Sequence, residues 1–319
     1  MSELFDIVEN LQDTDATVKR LARAIEERPG DDLLRINFEA IEKRQRDLVR
    51  RLDHTLHAKQ SELVSYRIMR DWSDTYPAKA VTASIGAFQD LVTSVFDAIR
   101  TVPKLRFRPS AENVQLSTFD FAGAAAGSVI VSLAVPNDRL LVGETELDMT
   151  FGLVEQALSA RASDDLKLLA DRIGVASIAK AYSWAESAVE FGLDTEIKWG
   201  KRYGDMQEIT ITRVEAGIIK ELIENKSETR TEIVELEGVL LGHDGATSYF
   251  HLQMAGENVE IKGDVSDDLP KIWTTGLPYR ARVLRTAHIR YATGEERVRW
   301  TLLALSPIVG DEGEFETTA

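Results

Sequence analysis

The sequence contains no cysteine, which excludes disulfides, thiolate metal sites and cysteine nucleophiles and is compatible with a reducing compartment. Cations are also in short supply. The 38 Lys and Arg residues face 53 Asp and Glu, a net charge of −15, which favours solubility and argues against a chain-wide electrostatic grip on DNA or an anionic membrane. Long apolar runs are missing: the longest uncharged stretch before a proline, Phe121 to Val135, has fifteen residues, short of the roughly 20 that a membrane helix needs. Its Gly, Ala and Ser content reads instead as a buried strand with a glycine-rich entry. Met1-Ser2-Glu3-Leu4-Phe5-Asp6 lacks a basic stretch followed by an apolar core, so no secretory signal is expected. The expected location is the cytoplasm, without membrane association.

Several catalytic signatures are absent as well. There is no G-x-x-x-x-G-K-S/T and no G-x-G-x-x-G, so a P-loop and a Rossmann phosphate cradle both lack their glycines. Gly123-Ala124-Ala125-Ala126-Gly127 reads as a bend or a close-packed strand entry. Without G-x-S-x-G, serine hydrolase chemistry has no anchor. No cofactor is indicated.

With 44% apolar content over 319 residues, the chain can bury a substantial core in more than one unit. The fold class expected is multidomain α+β. Residues 1–60 read as a helical hairpin, with Leu4, Ile7, Val8, Leu11, Val18, Leu21, Ala22 and Ile25 at spacings of three and four, and Arg28-Pro29-Gly30-Asp31-Asp32 as the break. Its charged flanks suit either packing on its own chain or a coiled-coil contact that makes a homo-oligomer. Residues 61–226 read as a central α+β domain with a mixed or antiparallel sheet, because strands arrive both in adjacent pairs and between helices. Strands are expected at Leu63–Met69, Leu105–Arg108, Val114–Phe121, Ser128–Val135, Leu193–Trp199 and Gln207–Thr212. Helices are expected at Pro77–Arg100, Glu144–Ala160, Asp164–Glu190 with a break near Gly174, and Val214–Asn225. Lys226–Thr231 reads as a polar linker, and 309–319 as an acidic, disordered tail.

Residues 231–308 alternate in the manner of a small barrel. Strands fall at Val234–Leu240, Tyr249–Met254, Val259–Gly263, Tyr279–His288 and Glu296–Leu305. Asp244-Gly245 supplies a hairpin turn, Thr293-Gly294 another, and a short helical segment is expected from Asp264 to Trp273. Three strands, a helix and two strands is the order of an OB-like barrel, with an SH3-like one as the alternative. If Phe250, Leu252, Val259, Ile261, Val283, Val298, Trp300 and Leu302 point inward, then Tyr249, His251, Gln253, Lys262, Arg280, Arg282, Arg297 and Arg299 point outward. Between Gly276 and Trp300 stand six arginines, Arg285 and Arg290 among them, against two glutamates. Arginine forks beside aromatics suit single-stranded nucleic acid, through phosphate pairing and base stacking. The opposing reading pairs these arginines with Glu235, Glu237 and Glu260 across the strands.

One pattern resembles an enzyme. Asp194-Thr195-Glu196-Ile197-Lys198 is similar to the acid-spacer-lysine strand of restriction-like nucleases, in which carboxylates hold Mg²⁺ and lysine stabilises charge; such a site also requires an upstream aspartate on a neighbouring strand, for which Asp120 is the one candidate. Glu260-Ile261-Lys262 repeats the tripeptide, so the pattern arises cheaply. His54 and His57 could place two ligands on one helix face, but no third is evident, and no metal site is assigned. The reading is a non-enzymatic binding or scaffold protein with an arginine-bearing barrel face for single-stranded nucleic acid. The alternatives are a metal-dependent nuclease using Asp120, Asp194, Glu196 and Lys198, or a protein–protein adaptor docking through its acidic tail.

Overall fold

The computed structural model describes residues 3–70, 75–125, 129–137, 145–200, 206–256, 259–270 and 272–308. The tail 309–319, the 201–205 connection and positions 126–127 of the glycine-alanine run lie outside the described residues. Among the described residues the chain is mixed α+β, with a helical N-terminus, seven helices and two sheets. It divides into two units, Met1–Lys226 with Tyr291–Gly294, and Ser227–Arg290 with Glu295–Ala319. No helix among the described residues is long and apolar enough to cross a membrane.

The first unit begins with α1 (Glu3–Glu27) and α2 (Asp32–Ala58). Asp31 caps α2 by accepting from the backbone N–H groups of Leu33 and Leu34 at 3.1 and 3.2 Å, satisfying donors that the first turn leaves unpaired. The strands β1 (Ser61–Arg70), β2 (Asp120–Ala125), β3 (Val129–Pro136), β4 (Leu193–Gly200) and β5 (Gln207–Ile211) form a sheet in the order β2-β3-β1-β4-β5. Every pairing in it is antiparallel. Side chains at alternate positions of β1 then serve two cores. Leu63 joins Ala122, Ala134 and the apolar faces of α1 and α2 on one side. Val64, Tyr66 and Ile68 are buried on the other, toward α3 (Ala78–Arg100), α5 (Glu146–Ser159) and α6 (Ser163–Phe191). There the Tyr66 ring lies 4.9 Å from Phe88, and Trp199 of β4 stacks on Phe151 at 5.5 Å. Trp184 Nε1–H donates to the Tyr66 hydroxyl at 2.8 Å, and that hydroxyl shares a second hydrogen bond of 2.8 Å with Ser84.

Two expected strands take other forms. Leu105–Arg108 is an irregular loop, and the short helix α4 (Ala111–Ser117) occupies the first half of the segment expected as Val114–Phe121, of which only Asp120 and Phe121 are strand. Ser110 caps α4 by accepting from Asn113 N at 3.1 Å, and this local cap outweighs the β-tendency of the residues behind it. Asp97 organises the loop: its carboxylate accepts from Lys104 Nζ at 2.5 Å, Asn113 Nδ2 at 2.8 Å and Ser110 N at 3.1 Å. The expected break near Gly174 is real. Gly174 sits at φ +81 with Lys104 N and O each 2.5 Å from where a Cβ would stand, a position only glycine tolerates. The unit closes with α7 (Arg213–Glu224), started by a capping box between Thr212 and Glu215.

The second unit contains β6 (Ser227–Asp244), β7 (Tyr249–Met254), β8 (Glu260–Val265), β9 (Pro278–Arg290) and β10 (Glu295–Pro307), in the order β10-β8-β7-β6-β9. β8 and β10 pair parallel, while β10 and β9 pair antiparallel. Leu236, Leu240, Phe250, Leu252, Ile261, Val283 and Leu302 form its core. Three expectations change here. Ser227–Thr231 is not a linker; it is the start of β6, paired with Arg290–Thr286 of β9, because a neighbouring strand can satisfy backbone groups whatever the side-chain polarity. Asp264 and Val265 belong to β8, and a turn with Leu269 N bonded to Ser266 O at 3.1 Å replaces the expected helix start. In the β6–β7 turn, Asp244 accepts from Ala246 N and Thr247 N, and the positive φ falls on Ser248 rather than on Gly245.

Two polar clusters in the first unit yield tests. Tyr66→Phe leaves Trp184 Nε1–H without its buried acceptor, and a loss of about 1–3 kcal/mol is expected, read as a lower urea midpoint at unchanged m-value. Burial raises the Tyr66 pKa above 10.0 despite the hydrogen bonds that oppose the rise. Its contribution is therefore present below that pH and lost as pH climbs beyond it, and the variant should lack this alkaline loss. Asp97 behaves in the opposite sense. Burial alone would raise its pKa, but the bonds from Lys104, Asn113 and Ser110 hold it below 3.8. Its stabilisation is present above that pH and disappears as pH falls, so unfolding of Asp97→Asn should depend less steeply on pH on the acid side.

Candidate functional site

The outward side chains of the second unit divide into groups that the sequence merged. Antiparallel register sets His251 opposite Lys262 and Tyr249 opposite Asp264. Trp300 pairs parallel with Gly263, so Arg299 and Lys262 are the residues that lead into the same pairing. His251, Lys262 and Arg299 thus form a row across β7, β8 and β10, with Tyr249, 40% exposed, one side-chain repeat along β7. Close approach makes the row possible: a Cβ on Gly263 would overlap the Trp300 carbonyl oxygen, so only a glycine lets β10 lie this near β8.

Acids of the same strands accompany these cations. Glu260 lies 2.9 Å from His251 Nε2 and 3.3 Å from Lys262 Nζ, and the hydrogen bond with His251, followed by that with Lys262, lowers its pKa. Arg299 reaches Asp264 only at 3.9 Å, with side-chain exposures of 78% and 58%. Arg297 is held by Glu295 at 3.1 Å. All of these pairs are open to water, where one pair is worth about 0–1 kcal/mol and an incoming anion can replace it.

The remaining arginines are placed differently. Arg282 stands opposite Glu235, and Arg280 opposite Glu237. Arg299 faces Thr286 of β9, four residues from Arg282 and so about 13 Å along the strand. Arg280 donates through Nε and Nη2 to Glu237 at 3.1 and 2.8 Å. Arg285 bridges Glu232 at 3.0 Å and Glu296 at 2.5 Å, with its guanidinium 6.0 Å from the Trp300 ring centroid. Burial works against its charge, yet the two glutamates raise its pKa further. Arg280 and Arg285 therefore brace β6, β9 and β10, the cross-strand role weighed against nucleic-acid binding. The sequence missed Glu232 as a partner because it stands beside the segment taken for a linker. Val259 and Val298, expected inside, are 47% and 38% exposed; Val259 precedes β8, and Val298 lies on the stretch of β10 before its core-facing residues.

The nuclease residues are not brought together. Asp120 pairs with Ala134 of β3, Ala134 with Leu63 of β1, and Leu63 with Gly200 of β4, so Asp120 stands three strands, about 14 Å, from β4. Asp194 accepts from Arg213 N at 2.7 Å. Glu196 and Lys198 are 3.3 Å apart on the outer face, flanked by Arg67 at 3.7 Å and Glu208 at 3.0 Å. Burial would lower the Lys198 pKa, but Glu208 and Glu196 raise it overall and keep the side chain cationic. His54 and His57 are exposed on α2, and among the described residues no group of three or more His, Asp or Glu could hold a metal ion.

Comparison with protein-family models, curated proteins and solved structures finds no match to the chain. The separation of braced from exposed arginines is measurable by double-mutant cycles. The Arg285–Glu296 pair, with side chains 24% and 21% exposed, should show a coupling of about 1 kcal/mol or more, and the open Arg299–Asp264 pair at most about 0.5 kcal/mol. Equal couplings would remove the distinction.

Proposed function

We propose that the protein is a non-enzymatic binding protein whose second unit is an OB-type barrel that receives single-stranded nucleic acid across β7, β8 and β10. The row His251–Lys262–Arg299 beside an exposed tyrosine carries this reading. The strand order supports the barrel: three meandering strands, a parallel pairing of the third with the fifth, and a return of the fourth to the first are the connections of that fold. In OB-folds the second and third strands form the ligand face, and here those strands are β7 and β8. Phosphates would replace Asp264 at Arg299 and Glu260 at Lys262, and a base would stack on Tyr249. Such contacts are local. They do not require the chain-wide positive charge that the sequence lacks.

A protein partner is the second reading, favoured by one observation: each of Lys262, Arg297 and Arg299 already has an acid of its own sheet within 4 Å. A mixed-sign polar face of this kind suits the rim of a protein interface.

Fluorescence anisotropy with labelled oligo-dT and oligo-U at several salt concentrations tests the proposal. Lys262→Ala and Arg299→Ala should each weaken binding and reduce the salt slope by about one. Tyr249→Ala should weaken binding by about 1–3 kcal/mol at unchanged slope. Arg280→Ala should leave affinity and slope as they are. If neither oligonucleotide binds at low salt, the nucleic-acid reading is wrong and the protein-partner reading stands.

A further inference from the structure

The helical hairpin has two halves with different surroundings. Near the sheet, Leu4, Ile7, Val8, Leu11, Leu48, Leu52 and Leu56 are all buried, together with Leu63, Ala122 and Ala134. Toward the tip, Val18, Leu21 and Ile25 of α1 and Leu34, Phe38 and Ile41 of α2 are only half-buried. On the outer side of α2, Leu33 is 73% and Ile36 62% exposed. Ala40 continues their stripe into a groove of 610 Å³ between α1 and α2, whose lining mixes apolar Ile7, Ala40 and Leu48 with charged residues such as Asp6, Arg44 and Arg51.

The charges of the same helix carry a symmetry. Asp32, Arg35, Glu39, Lys43, Asp47 and Arg50 are all exposed and fall within an arc of about 120° on a helix of 3.6 residues per turn. Their signs alternate. Reversing the helix about Ile41 sets Asp32 against Arg50 and Glu39 against Lys43 near the middle of the arc, and brings Arg35 level with Asp47 at its edges, every pair of opposite sign. The same reversal places Leu33 level with Val49 and Ile36 level with Arg46, alongside the groove.

We propose that a second copy of this chain docks on the outer face of α2. The two α2 helices run antiparallel about a two-fold axis beside Ile41, with Leu33 and Ile36 of each copy seated at the groove of the other. An isologous contact requires a surface complementary to itself under a two-fold rotation, and both the charge sequence and the positions of the apolar stripe and groove meet that requirement. The contacts the charges make within the chain are weak competitors. Arg35 donates to Pro29 O at 2.8 Å, but Arg50 reaches Asp47 at 3.2 Å with side chains 78% and 55% exposed, and Arg46 reaches Glu42 only at 4.0 Å; ion pairs of this kind on an open helix surface add little to stability. The nucleic-acid reading is independent of this contact.

Mixing two charge variants of the full chain tests it. Glu39→Lys and Lys43→Glu each put like charges together twice across the axis, so each variant alone should self-associate about tenfold or more weakly than the parent in sedimentation velocity. Mixed at equal concentration, with one variant fluorescently labelled, they should form a heterodimer near parental affinity. In the mixed dimer, positions 39 and 43 of the first variant are both cationic and face positions 43 and 39 of the second, which are both anionic. Pairing within one helix cannot produce this rescue. Leu33→Asp should also abolish the dimer while leaving helicity by circular dichroism unchanged, since the side chain is exposed. A parent chain that sediments as a monomer at about 10⁻⁴ M, or a mixture no tighter than its components, would overturn the proposal.

Discussion

The first unit depends on the distance between β1 and its helical layer, and Tyr66 sets that distance. Its ring fills the space against Phe88, and its hydroxyl must find partners because a buried polar group without one costs about 1–3 kcal/mol. Trp184 of α6 and Ser84 of α3 provide them, so two helices distant in sequence are tied to one atom. Only helices at that spacing can bury Phe88, Trp184 and the inner side of β4 together. β1 occupies the middle of its sheet, and a displacement there would disturb the packing on both faces. The α1–α2 hairpin occupies the opposite face through Leu63, Ala122 and Ala134, which divides the alternating side chains of a single strand between two cores.

The second unit is governed by a different constraint, backbone proximity. Gly263 allows β10 to pair with β8, and that parallel pairing aligns side chains from the third and fifth strands. Arg299 and Lys262 become neighbours through it, although a whole strand, β9, separates them in the sequence. The same geometry moves Arg280 and Arg282 away from them. Arginines that look alike in sequence thereby acquire different tasks: Arg285, partly buried between Glu232 and Glu296, braces strands, whereas Arg299 extends into water with a distant acid.

Misread segments share a physical origin. Where tertiary pairing or a local cap outweighs side-chain character, periodicity misleads. Val114–Phe121 looked like a strand, but Ser110 caps a helix there. Ser227–Thr231 looked like a linker, but β9 runs beside it. A nuclease site was suggested by Asp194, Glu196 and Lys198, whose alternate spacing does put them on one face of β4. The distant placement of Asp120 on β2 was invisible, because the order of strands in a sheet leaves no local mark on the residues that form them.

Apolar spacing by itself determined that residues 3–58 form two helices, that Ala78–Arg100 is a buried helix and that the C-terminal third alternates as β-structure, since 3.6-residue and two-residue periods are properties of the local chain. Proline, glycine and aspartate likewise determined the hairpin break at Arg28–Asp31 and the kink at Gly174. Tertiary structure alone decided which charged side chains meet. Charge proximity is set by strand order and register, and these follow from burying cores and satisfying backbone hydrogen bonds across long sequence separations. The row of His251, Lys262 and Arg299, the bracing of Arg285 and the separation of Asp120 from β4 are all consequences of that long-range choice.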